Sequence, residues 1–286
     1  MNNENNEDEN IIDDIAREGE HIAREGEHIA LECEYIARDG EHIALECDNS
    51  LIEMEINSQS SSNNEKPKEL EIGDEIAIEK IIEIFPKTDD LIDKIRISDI
   101  GLYSITKKNE AFFITNLITK YFGESHIVIT DSTACCGGNT ISFLLHPHIE
   151  KVNSVEINDL HFEILKNNVQ LYKQHSKVEL IKGNYLDIAQ NLEQDVIFYD
   201  LPWGGKNYIE KEEITLGLYT NNNFFISLSS IINQMKDKTK LQVLKIPLNF
   251  GFTKFLREIE YTKIKIHKIY NKYTKKLCYF IIILVF

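Results

Sequence analysis

The residues best suited to chemistry cluster in two short stretches. Asp200-Leu201-Pro202-Trp203-Gly204-Gly205 follows a short apolar run and contains the chain's single tryptophan. This arrangement suits the handling of an exocyclic amine on a nucleobase. Such an amine is a poor nucleophile because its lone pair is delocalised into the ring. Asp200 and the backbone carbonyl beside it can accept both N–H groups and so turn the lone pair toward an electrophile, and positioning is most of the catalysis in such a transfer. Pro202 removes a backbone donor and stiffens the loop. Trp203 offers a flat face on which a base can stack, worth about 1–3 kcal/mol, and a cationic base such as 7-methylguanine gains a cation–π attraction as well. The structural alternative is a core tryptophan after a proline turn.

The second stretch, Asp131-Ser-Thr-Ala-Cys-Cys-Gly137-Gly-Asn-Thr, follows an apolar run and opens a helical one. In that context a turn of small residues lets the backbone approach a cofactor, although a tight structural turn reads the same way. It is not a phosphate-binding loop, because no Gly-Lys-Ser/Thr follows. Glu156 closes the next apolar run, where a carboxylate can accept both hydroxyls of an adenosine ribose. Asp131 suits a cationic amino group, and Asn184, after the third run, suits an adenine edge. A dinucleotide would need the turn's helix to face pyrophosphate. S-adenosylmethionine instead needs carboxylates for its ammonium and ribose, which this set supplies. Its sulfonium is already an activated leaving group, so no metal is expected.

Those residues need a frame that brings strand ends together. From residue 126 onward, apolar runs at 126–131, 151–159, 177–187, 195–203, 241–250, 261–269 and 277–286 alternate with helical stretches. That rhythm predicts an α/β fold, a parallel Rossmann-like sheet with helices on both faces and its ligand at the carboxyl ends of the strands. The unbroken apolar run 277–286 reads as a strand buried on both faces rather than a surface hairpin. Residues 67–125 read as a helical extension, from apolar spacing such as that in EIAIEKIIEIF and NEAFFITNLITKYF. The core is then 126–286.

The formal charge of −16 argues at face value against a nucleic-acid partner, but it is unevenly spread. Residues 1–66 hold 19 acidic side chains against four basic ones, and the remaining 220 residues hold 28 against 27. The acidic arm carries five imperfect heptads over 15–49, three with an internal glycine (Gly19, Gly26, Gly40). Each glycine costs a helix about 1 kcal/mol relative to alanine, so the arm reads as low-complexity and disordered, or as a weakly associating helix on an otherwise monomeric protein. Recurrent His21, His28, His42, Cys33 and Cys47 have metal-ligating side chains, but copying of the repeat explains them better. Five cysteines without CxxC spacing suit neither a disulfide framework nor a zinc site, and adjacent Cys135 and Cys136 do not read as sharing one tetrahedral metal. The longest apolar run has ten residues, about half a membrane-spanning helix, and no signal peptide is evident. An intracellular, non-membrane address is the expectation.

Taken together, these motifs resemble the trimethylguanosine synthase family, the cap-specific guanine-N2 methyltransferases. That family's glycine motif reads roughly D-x-F-C-G-x-G-G-N-T, its catalytic loop [S/D]-P-P-W-G-G, and an upstream stretch D-x-E-G-x-F-S-V-T. This chain has DSTACCGGNT, DLPWGG and, at 99–106, DIGLYSIT. The resemblance covers roughly residues 90–250. It implies a class I methyltransferase fold with S-adenosyl-L-methionine as cofactor and 7-methylguanosine-capped RNA as partner, yielding di- or trimethylguanosine. By the same resemblance Asp131 and Gly137 hold the methionine end, Glu156 the ribose and Asn184 the adenine. Thr106 lies near the cofactor, Asp200 and Pro202 near the reactive amine, and Trp203 stacks on the base. The chain departs from the pattern with Cys135 for Gly, Asn184 for Asp and Leu201 for Pro. An adenine-N6 methyltransferase and a non-catalytic cap-binding module are the alternatives.

Overall fold

The structure, a computed structural model, describes residues 75–86, 92–271 and 274–286. The heptad arm and its linker lie outside them. In chain order the helices are α1 (Glu75–Ile84), α2 (Asp99–Ser104), α3 (Lys108–Thr119), α4 (Gly138–Leu145), α5 (Asp159–Gln170), α6 (Tyr185–Ile188), α7 (Leu228–Met235) and α8 (Phe252–Glu258). The strands are β1 (Ile127–Asp131), β2 (Ile149–Glu156), β3 (Val178–Lys182), β4 (Val196–Tyr199), β5 (Gly217–Tyr219), β6 (Phe225–Ser227), β7 (Leu241–Pro247), β8 (Lys263–Tyr270) and β9 (Leu277–Val285).

Seven strands form one sheet in the order β3-β2-β1-β4-β7-β9-β8, and β5 and β6 pair separately as a small hairpin. The first five are parallel, whereas β9 runs antiparallel to both β7 and β8. This is the expected Rossmann-like α/β sheet, with one refinement. The run 277–286 is buried on both faces, yet it is also one arm of a hairpin. It inserts between β7 and β8, and Ile281 to Leu284 are fully buried. Burying each such side chain contributes about 1.5–3 kcal/mol, which places β9 inside the sheet. The basic run that begins at Lys263 forms edge strand β8, where exposed lysines discourage pairing with another chain.

The layers follow from the period of two along each strand. Val196 and Phe198 of β4 pack with α1, α3, α4 and α5, while Ile197 and Tyr199 pack with α7 and α8. Among the described residues, no helix is long and apolar enough to cross a membrane.

Among the described residues before the sheet, α1, α2 and α3 are helical, and this segment shares the first of these cores through Ile81, Phe85, Ile95, Ile97, Ile114 and Ile118. Ser98 caps α2 by accepting from Gly101 N at 2.8 Å. Helix α4 begins after Gly137, whose φ of 98° favours glycine. Gly138 then lets Ile105 and Thr106 sit directly on the turn, because a Cβ there would overlap Ile105 Cγ2 and lie 3.1 Å from the Thr106 carbonyl oxygen. Gly138→Ala is therefore expected to lower unfolding free energy by about 1–3 kcal/mol by overpacking, read by urea denaturation.

Candidate active site

Strand order reverses at β1, which has β2 on one side and β4 on the other. In a sheet of this kind the crevice at that switch point is where ligands bind. Asp131 ends β1, and Asp200 follows β4 directly. The glycine turn is stitched across the gap. Ser132 N and Oγ both donate to the Phe198 carbonyl, at 3.1 and 2.8 Å, and Thr133 Oγ1 donates to the Asp200 carbonyl at 2.8 Å.

Asp131 is buried, with Thr140 Oγ1 donating to its Oδ2 at 2.7 Å. Thr140 has one hydroxyl proton, so the contact of 2.6 Å to Ser154 must have Ser154 as donor. Asp131 Oδ1 is buried with no hydrogen-bond partner, and so is Asn139 Oδ1. Burial pushes the Asp131 carboxyl up to about 7; the nearby charges of Asp200 and Glu156 add to this, and hydrogen bonding from Thr140 and from the Thr133 backbone opposes it. Two orphaned buried acceptors call for a donor, and the ammonium of an amino-acid-bearing cofactor meets that need.

Glu156 ends β2 as expected. Its Oε2 accepts from Cys135 N at 2.8 Å and its Oε1 from Asn158 N at 2.6 Å. Burial raises its carboxyl, while these backbone donors hold it down. Each oxygen retains a lone pair for a hydroxyl donor. Cys135 has a φ of 49°, so the residue standing where the resembling motif has glycine keeps a glycine-like backbone. Asn184 lies two residues past the end of β3. It caps α6 by accepting from Leu186 N at 3.1 Å and donates to the Tyr219 carbonyl at 2.7 Å. That second bond needs an amide rather than a carboxylate, and it ties the β5–β6 hairpin to the strand end.

Thr106 meets Asp200 through a network that includes residues beyond the sequence motifs. Thr106 Oγ1 accepts from Asn139 Nδ2 at 3.0 Å and from Lys245 Nζ at 2.9 Å, which leaves its proton for Asp200 Oδ2 at 3.1 Å. Lys245, on β7, is buried and also pairs with Asp200 Oδ2 at 3.0 Å. Its ammonium lies 5.3 Å from the Trp203 ring centroid and 5.1 Å from that of Tyr279. Tyr279 OH in turn donates to buried Glu110 at 2.5 Å. Among the described residues, no hydrogen bond falls on Asp200 Oδ1, which remains available to a substrate donor. The sequence carries a signal for Lys245, the single cation within LQVLKIP, and that strand is buried along its whole length.

Pro202 is exposed and Leu201 is buried. Trp203 is half-buried and packs against both cores, so part of the core-tryptophan alternative holds. Tyr208 meets its ring edge-on at 5.1 Å, and its Nε1 is buried without a partner. The turn, the strand-end acids and the aromatic loop thus lie together at the carboxyl ends of β1, β2 and β4, although they are separated in the chain.

A parallel switch-point sheet closed by an antiparallel hairpin, with acids at the ends of β1 and β2, defines the class of S-adenosylmethionine-dependent methyltransferase folds. Residues 126–284 match the model of the RNA cap guanine-N2 methyltransferase family. More than half of the chain is covered, and the protein belongs to that family. An uncharacterized protein of Acanthamoeba polyphaga mimivirus is 29% identical over 202 residues, 62% of this chain and 77% of its own length. Among solved structures, cofactor-bound Rv0187 from MTB aligns at 14% identity with a TM-score of 0.47, over 75% of this chain and 91% of that one. A putative methyltransferase from Porphyromonas gingivalis aligns at 12% identity with a TM-score of 0.42, over 60% of this chain and 40% of that one. The chain thus spans well under half the length of the latter.

Proposed function

We propose that the protein transfers a methyl group from S-adenosylmethionine to the exocyclic N2 of a 7-methylguanosine RNA cap, giving di- or trimethylguanosine. The observation that carries this reading is the arrangement around Asp200: Oδ2 held by Thr106 and Lys245, Oδ1 left over, and Trp203 beside it. When bound, the cofactor supplies a methyl group already activated on positively charged sulfur. Asp131, with Gly137 and the orphaned Asn139 carbonyl, would hold its methionine end, Glu156 its ribose and Asn184 its adenine through the free lone pair on Oδ1.

Thr106 and Lys245 fix the Asp200 carboxylate in place. Oδ1 then accepts one N–H of the guanine amine and the Leu201 carbonyl the other, which orients the nitrogen lone pair. The same oxygen is the first acceptor for the proton the amine sheds. Pro202 keeps a competing backbone donor out of the loop, and Trp203 stacks on the base. Because Lys245 is neutralised by Asp200, no unpaired ammonium repels a cationic base there.

Incubation with labelled cofactor and a 7-methylated cap analogue is expected to put label on guanine N2, with an unmethylated cap at least about tenfold poorer. Trp203→Ala is expected to weaken 7-methylguanosine diphosphate binding by about 1–3 kcal/mol, measured by calorimetry. No label on N2 with S-adenosylhomocysteine binding intact refutes the cap assignment, and label on adenine N6 instead supports the adenine reading.

A further inference from the structure

Behind the glycine turn lies a group of side chains that the methyl-transfer reading leaves unused. Cys135 Sγ and Cys136 Sγ lie 3.9 Å apart, and Cys135 Sγ is also 3.9 Å from His161 Nδ1. One ligand atom from each of the three falls within 4.8 Å of the others. Two thiolates on one tetrahedral zinc, each with a bond of about 2.3 Å, sit roughly 3.8 Å apart, and a thiolate and an imidazole nitrogen roughly 3.5 Å. The sulfurs are therefore near ligand spacing despite being adjacent in sequence, where two cysteines do not easily reach one tetrahedral metal.

The surroundings add two independent observations. The far nitrogen of His161, Nε2, is 3.0 Å from Ser98 Oγ. Ser98 Oγ already accepts from Gly101 N, and its hydroxyl has Cys136 Sγ at 3.7 Å. With that proton directed to sulfur, Nε2–H donates to Ser98 and the Nδ1 lone pair is left facing the cysteines. A metal-binding histidine is held by an outer oxygen in this way. Moreover, Cys135 keeps a φ of 49°, a conformation that favours glycine. The resembling motif has glycine there, so this chain carries a thiol at some backbone cost.

We propose that Cys135, Cys136 and His161 form a binding site for one zinc ion, with the fourth coordination position open. Two thiolates and an imidazole suit a thiophilic divalent cation over magnesium or calcium. Binding releases the two thiol protons as the sulfur–zinc bonds form. Half-buried Cys135 provides the entry path, since Cys136 is fully buried. The bound ion would clamp the glycine turn to the first turn of α5 and, through Ser98, to α2. The zinc site itself does not depend on the methyl acceptor being a cap.

The test is titration of the reduced, chelator-stripped full-length chain with Zn2+ against a chromophoric competitor, alongside thermal melting. One tight zinc per chain is expected, raising the melting temperature as a ligand of the native state should. Cys135→Gly, which suits the positive φ and should fold at least as well, is expected to weaken this site at least about a hundredfold, and His161→Ala likewise. Cys33→Ser combined with Cys47→Ser is expected to leave it intact. With Co2+ as the probe, a thiolate-to-metal charge-transfer band should appear in the wild type and fade in Cys135→Gly. Equal zinc affinity in wild type and Cys135→Gly, or a site lost only with Cys33 and Cys47, overturns the proposal.

Discussion

Asp131→Asn is expected to make the ligand-free protein more stable at pH 8 while reducing its affinity for S-adenosylhomocysteine at least about a hundredfold. The stability effect follows from linkage. The folded-state carboxyl titrates at about 7 against a reference of 3.8, chiefly because the group is buried. As pH rises from about 4 to 7 the unfolded chain releases this proton before the folded one, so wild-type stability falls across that window and levels off above it. A shift of that size corresponds to a few kcal/mol at about 1.4 kcal/mol per pH unit. The substitution removes this loss, so the mutant's advantage should be absent below pH 4, grow to pH 7 and then stay constant.

The binding effect has the opposite sign because the cofactor assignment calls for the ionised carboxylate opposite an ammonium. Wild-type affinity for S-adenosylhomocysteine should therefore be about tenfold weaker at pH 6 than at pH 8, with about one proton released on binding at the lower pH. Both quantities come from calorimetry in buffers of different ionisation enthalpy. A mutant that keeps wild-type affinity, or a wild type with flat pH dependence, removes Asp131 from the cofactor site.

Asp200→Ala is expected to lower kcat on a cap analogue at least about a hundredfold, leaving S-adenosylhomocysteine affinity within about threefold of wild type. The rate effect is one of positioning, because the amine loses the acceptor that orients it. The stability effect arises from Lys245, which would remain buried without its counter-ion. Breaking a buried pair by removing one partner costs about 3–5 kcal/mol, whereas replacing both partners with apolar groups is often neutral. Asp200→Ala combined with Lys245→Met should thus recover stability without recovering activity. Recovery of both would show that the carboxylate acts only on the fold. Undiminished methyl transfer by the single mutant would refute its catalytic assignment.

These expectations draw unequally on the sequence. The first strand ends were legible because the early apolar runs give way to acidic residues, and Asp131 and Glu156 do close β1 and β2. The aromatic loop was legible from residue types alone. Lys245 was not, since nothing local links it to Thr106, 139 residues away, or to Asp200, 45 away. Asn139 and the Glu110–Tyr279 pair were missed for the same reason: their roles exist only once distant segments meet. Nor did the sequence show that Asn184 holds the β5–β6 hairpin, or that Cys135 and Cys136 face His161.

The sequence by itself determined the α/β class, the glycine turn and the acids that follow the strands, because these depend on periodicity and on residues adjacent in the chain. Tertiary structure decided which oxygen of Asp200 stays free, which acceptors are left orphaned and where β9 runs. Those outcomes depend on desolvation and on the pairing of charges across the sheet. Burial sets both, and burial is a property of the assembled core.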